Sequence, residues 1–234
     1  MAGTPKSNNK QQTIKFFIHM STLKLAHMGV SSLNGIGTEI NFGCHDYLLD
    51  YDFIVVSATA IHESADFLLE DMDADHDRAL AFLTKRHQDL KDFYRHGGTL
   101  VLLLDEEPII QRMEYVPEFG HGKLIDVLST RPAKINYIIQ HGTNVQHHPI
   151  ASPLAQTVDV YFKAILNHSG TNTLLRTQRT KQPVSYHCRV DKGFFLTLPD
   201  IAFKNPDNPD APAEVLAQVL SICQTLKQPQ LQLA

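Results

Sequence analysis

Cysteine is scarce in this chain: Cys44, Cys188 and Cys223 are odd in number, widely spaced and without a Cys-x-x-Cys pair. That pattern excludes a disulfide framework and a zinc ribbon, and it fits a reducing cytoplasm. No apolar run approaches the ~20 residues a bilayer span requires, so no membrane helix is expected. Neither sign of charge dominates, since 21 basic and 25 acidic residues give −4 without a long run of either. A nucleic-acid partner is not expected, because displacing counterions from phosphate needs a basic stripe. Residues 1–12 (MAGTPKSNNKQQ) lack the apolar core of a secretory signal, so export is not expected. They read as a flexible lead-in, and residues 228–234 as a tail.

What is present is an α/β signature. The apolar run Phe53 to Ala58 and the run Leu100 to Leu104 bracket a segment of helical period. Ala79, Leu83, Leu90 and Tyr94 recur there at helix spacing with Lys85, Arg86, Lys91 and Asp92 between them. Asp73, Asp75 and Asp77 suit the positive end of that helix, Arg95 and His96 its negative end, and Gly97 the position just past it. A right-handed crossover then sets the second strand parallel to the first, which makes one β-α-β unit. At 234 residues, 43% of them hydrophobic, the chain can bury one large core, and residues 13–227 read as a single domain.

The remaining elements follow from local pattern. Thr13 to Met20 reads as a first strand, Leu23 to Val30 as a short helix, and Thr38 to Phe42 as a further strand after a glycine-containing loop. Glu106 to Gly122 is a long connection with two prolines, Gly122 to Thr130 a helix, and Ile135 to Ile139 a strand. Val158, Phe162 and Ile165-Leu166 are spaced as in a helix, while Val160 and Tyr161 allow a strand. Asn172 to Thr177, Val184 to Val190 and Phe194 to Leu198 read as strands. The last two form a hairpin whose Asp191-Lys192-Gly193 loop supplies a positive φ through its glycine. Asn205 to Pro212 is a loop before a final helix with Val215, Val219, Ile222, Cys223 and Leu226 on one stripe, Asp210 or Ala211 as its cap and Pro212 in its first turn.

Three segments, in this order, resemble the class I glutamine amidotransferase-like superfamily, including its ThuA-like and noncatalytic branches. They are Tyr51-Asp52-Phe53-Ile54-Val55-Val56, the stretch Leu90 to Leu104 with its Gly97-Gly98 entry, and Lys192 to Pro199 following His148-Pro149. The resemblance implies a doubly wound, mostly parallel sheet of flavodoxin or amidotransferase type with a C-terminal β-hairpin. It does not carry the chemistry. Catalytic members place a glycine-flanked Cys on a strand-to-helix turn, and no Gly-x-Cys-x-Gly occurs here. Cys44 precedes the Tyr51-Asp52 strand, Cys188 falls mid-strand, and Cys223 lies on a helix core stripe.

Several constellations carry potential chemistry, each with a plainer alternative. Asp105, Glu106 and Glu107 leave a parallel strand at its carboxyl end, where open α/β sheets bind ligands. Carboxylates there can do acid-base work or hold Mg²⁺, or can be a solvated strand exit. Ser57 and Thr59 leave the preceding strand at the same edge and join Asp105 and Glu106 as ligand-binding candidates. Among thirteen histidines, His141, His147 and His148 cluster, yet no His-Glu-x-x-His motif occurs and no metal or other cofactor is expected. Cys44, His45 and Asp46 are consecutive, but neighbours on a strand face opposite ways, so a loop role is the plainer reading. Gly29 to Gly37 lacks the Lys-Ser/Thr of a phosphate-binding loop.

The sequence thus points to a noncatalytic amidotransferase-like module of the cytoplasm. It acts by binding a partner protein, a second copy of itself or a small ligand at the strand carboxyl ends. The alternative is a hydrolase using Asp105, Glu106 or Glu107 with a histidine from the His141 to His148 stretch, His147 and His148 being the candidates, with or without a divalent metal.

Overall fold

A computed structural model describes residues 23–30, 33, 35–40, 47–60, 76–104, 134–167, 172–205 and 207–227. Among the described residues ten strands run in chain order: β1 (Leu25–Met28), β2 (Thr38–Glu39), β3 (Phe53–Ser57), β4 (Thr99–Leu104), β5 (Lys134–Gly142), β6 (Val145–His147), β7 (Val158–Asn167), β8 (Leu175–Thr177), β9 (Tyr186–Val190) and β10 (Gly193–Phe203). The described helices include α1 (His76–Arg95), the short α2 (Leu154–Thr157) and α3 (Ala211–Lys227). The main sheet has the order β2-β1-β3-β4-β10-β7-β5, and β9 also pairs with β10. Strands β2, β1, β3, β4 and β10 are mutually parallel, whereas β7, β9 and β5 pair antiparallel to their neighbours. The result is a mixed, mostly parallel α/β sheet. A separate antiparallel ribbon joins β6 to β8.

Side-chain alternation divides the core into two faces. Ile54, Val56, Leu100 and Leu102 pack with Leu90, Phe93 and Tyr94 of α1. Their strand neighbours Val55, Val101, Phe194 and Leu196 pack with Val215 and Val219 of α3 on the opposite face. Both faces of β3 and β4 are therefore covered, which is why these strands are continuous apolar runs. Burying each such side chain contributes roughly 1.5–3 kcal/mol.

Helix α1 and the parallel strand that follows it match the β-α-β pattern, with Phe53 in register with Thr99. Gly97 has φ +90, and the N–H groups of Gly97 and Gly98 donate to the carbonyls of Tyr94 and Phe93, each at 2.9 Å. This closing turn satisfies two carbonyls that α1 would otherwise leave open, then feeds the chain directly into β4. At the start of α3 the Asp210 carbonyl accepts the first helical bond, from Glu214, so Asp210 is the cap.

Four expectations need correction or refinement. Leu23 to Val30 is not a helix: Leu25–Met28 is β1, buried along its whole length between β2 and β3. A short run buried on both faces has no alternation to distinguish it from a buried helix. Residues 158–166 belong to β7, so the strand alternative holds there. In the β9–β10 hairpin Val190 pairs with Gly193, which leaves a two-residue loop, and the positive φ of 53 belongs to Asp191. Finally, β10 continues through Pro199 to Phe203. Proline has no N–H to give, and Pro199 sits where the antiparallel partner changes, β9 ending opposite Thr197 and β7 beginning opposite Asp200. Thr13 to Met20 and Gly122 to Thr130 lie outside the described residues, and of Thr38 to Phe42 the described part contains β2.

Candidate functional site

The strand order changes direction between β1 and β3: from β1 the chain first steps outward to β2, then returns to the other side for β3, β4 and β10. In open parallel sheets the crevice at the carboxyl ends of such a pair is where ligands sit. Here it is bounded by Gly29 after β1 and by Ser57 ending β3. Gly29 has φ +64, and a Cβ on it would collide with Ala60 Cβ. Only glycine lets the loop pass this close over the turn that follows β3.

That turn is a helix start. Residues 58–60 are helical, and Ser57 Oγ accepts a hydrogen bond from the Ala60 N–H at 3.2 Å, so Ser57 caps it. Ser57 is buried, and Thr59 is half-buried. Both sequence candidates therefore sit at the crevice, with the Ser57 hydroxyl committed to a structural bond.

On the α3 face of the same strands lies an apolar pocket with about 40 Å³ of open space. Val55, Val101, Leu103 and Leu198 of the sheet face Val215 and Val219 across it. On the same face of the sheet, in register with Val55, is a group that pattern reading missed. His27, next to last in β1, is buried, and its Nδ1 has no hydrogen-bond partner. Burial lowers its pKa, while Glu39, its register partner on β2, pulls it back up. The available signal was a lone imidazole inside an apolar run, Leu25-Ala26-His27-Met28.

The histidine candidates lie elsewhere. His147 ends β6, and its buried Nε2 lacks a partner; burial lowers its pKa and the Lys204 ammonium lowers it further. His148 is exposed and accepts the Ile150 N–H through Nδ1 at 3.3 Å, which caps a one-turn 3-10 helix. The side chain of His141, all of Asp105, Glu106 and Glu107, and Cys44-His45-Asp46 lie outside the described residues. Cys188 in β9 and Cys223 in α3 are both buried, and burial pushes the Cys223 thiol up to about 12. Among the described residues no three His, Cys, Asp or Glu side chains gather as metal ligands. No described helix is long and apolar enough to cross a membrane.

No protein-family model matches the chain, and no curated protein sequence does either. Among solved structures it is similar to the cytoplasmic protein STM3548 from Salmonella typhimurium, at 10% identity and a TM-score of 0.52, over 87% of this chain and 98% of that one. It also overlays on part of Gan42B, a GH42 β-galactosidase from G. stearothermophilus, at 10% identity and a TM-score of 0.36, over 94% of this chain and 27% of that one. The Salmonella protein shares the fold at an identity that says nothing of activity, and the galactosidase overlay is too loose to carry an argument.

Proposed function

We propose that this chain is a noncatalytic, amidotransferase-like binding module of the cytoplasm, with a doubly wound sheet of flavodoxin type. Its partner protein or small ligand engages the strand carboxyl ends around Gly29, Ser57 and Thr59. The observation that carries the reading is the state of the sulfur. Both described thiols are enclosed in the core, whereas a nucleophilic Cys needs an exposed position and a depressed pKa. The order of the Tyr51-Asp52, Gly97-Gly98 and Lys192-Gly193 segments supports the family, and the likeness to a cytoplasmic Salmonella protein of similar fold supports the compartment. At the switch point Ser57 is occupied as a helix cap, which favours recognition over attack on a substrate.

The test is affinity purification of the full chain from cells, as native protein and as Thr59→Arg, with the two matched for thermal stability. A protein or small molecule retained by the native chain and lost by the variant is the expected result. Hydrolytic turnover abolished by Glu106→Gln with the fold intact would instead move the function to the carboxylates after β4.

A further inference from the structure

The pocket under α3 lies at the carboxyl ends of β3 and β4, on the face where alternation also places His27 and Ser57. His27 is in register with Val55, and Ser57 with Leu103, both of which line the pocket. Every lining side chain is apolar. Val55, Val101, Val215 and Val219 are among them, and a further methylene on any of these valines would take up part of the space. Protein interiors normally close such gaps, because lining atoms without neighbours forfeit dispersion contacts. His27 is not itself a lining residue, but it adjoins Val55 in the sheet register, and its Nδ1 is buried and unpartnered, a polar atom whose burial costs free energy unless something bonds to it.

We infer that this pocket binds a compact branched aliphatic group, carried by a neutral ligand whose single hydrogen-bonding end meets His27. The inference rests on the reading of the chain as a binding module and names the chemical class of its small ligand. A charged end is disfavoured because the apolar lining holds no counter-charge. A long chain cannot lie wholly inside, since about 40 Å³ accommodates only a few carbon atoms. Val30 and Leu33, which follow Gly29 in the chain, are among the lining residues, so the pocket borders the switch-point crevice.

The experiment uses the full chain with labelled valine and leucine methyls, titrated with isobutyramide and, for comparison, acetamide and octanamide. Isobutyramide should shift the methyls of Val55, Val101, Val215 and Val219 saturably, and bind at least about tenfold more tightly than either comparison compound. Val215→Ile, which adds one methylene, should weaken it about tenfold or more. Val219→Ile repeats the test should the first variant disturb the fold, which methyl spectra away from the pocket would reveal. No saturable shift up to the solubility limit, or undiminished binding by a folded isoleucine variant, would overturn the assignment. Equal binding of isobutyramide by His27→Phe would overturn the role of the imidazole. Partner retention in the Thr59→Arg purification is read separately, so failure here leaves that outcome intact.

Discussion

Lys227 Nζ donates a 2.6 Å hydrogen bond to the carbonyl oxygen of Gly97, joining the last residue of α3 to the turn that closes α1 across 130 positions. The two helices cover opposite faces of the sheet, so this bond ties the layers together around the amino-terminal edge of β4. Burial lowers the Lys227 pKa, Cys223 and Asp52 pull it back up, and Arg189 adds to the depression. The ammonium thus loses hydration to make the bond, and the net gain is modest. Lys227→Met should lower unfolding free energy by about 1 kcal/mol, and Lys227→Ala by more because the aliphatic stem is lost as well. Urea denaturation reads both, and an unchanged midpoint in Lys227→Met would mean that water serves the Gly97 carbonyl equally well.

The same turn makes two adjacent glycines unequal. Gly97 needs its positive φ, but a Cβ there would meet only the Lys192 carbonyl oxygen, at 3.9 Å. Gly97→Ala should therefore cost about 1 kcal/mol, the backbone penalty alone. A Cβ on Gly98 would run into the ring of Phe93, which is buried at 1% exposure and cannot swing aside. Gly98→Ala should cost roughly 1–3 kcal/mol through overpacking, more than its neighbour. Thermal denaturation of the two variants side by side gives the order, and the reverse order would refute the account.

How much of this was legible in the sequence depended on whether a local pattern determined the outcome. The helix His76–Arg95 was readable because its period, its acidic start and its Gly97 stop all agreed, and β4 followed from the glycine entry. Residues Leu25–Met28 misled, since a strand buried on both faces shows no alternation. The switch point was invisible, because whether β3 returns to the far side of β1 is a matter of tertiary pairing. The place of Ser57 and Thr59 at the exit of β3 was nonetheless readable, since the apolar run ends there. His27 and the pocket were missed because burial and absence of a partner belong to packing.

Acid should destabilise the fold through two imidazoles. Burial lowers the His27 pKa, and burial with the Lys204 ammonium lowers that of His147. The folded state keeps both neutral, while the unfolded chain takes up protons as pH falls through about 6.5. Their contribution is complete above that value and is lost as pH falls from there toward the depressed folded values. Unfolding free energy should therefore decline as pH falls through about 6.5, and His27→Phe should flatten that decline in part, His147 supplying the remainder. A slope unchanged in His27→Phe would show that the buried ring accepts a proton without penalty.

Both described thiols should be unreactive in the native protein. Alkylation requires thiolate and access. Burial pushes the Cys223 thiol up to about 12, an effect the Lys227 ammonium only partly offsets, and Cys188 sits in β9 opposite Phe195 with 7% exposure. Neither can meet iodoacetamide unless the surrounding structure opens, so labelling should follow the rate and extent of local unfolding rather than thiol chemistry. Native protein at about pH 8 should leave both sites unmodified through a period that labels them fully in denaturant, as read by peptide mass spectrometry. Adding sub-denaturing urea should raise the labelling of Cys223 in step with its effect on stability, since α3 must leave the sheet to expose it. Rapid modification of either cysteine in the native state, saturating without urea, would identify an activated thiol and overturn the proposal of a noncatalytic module.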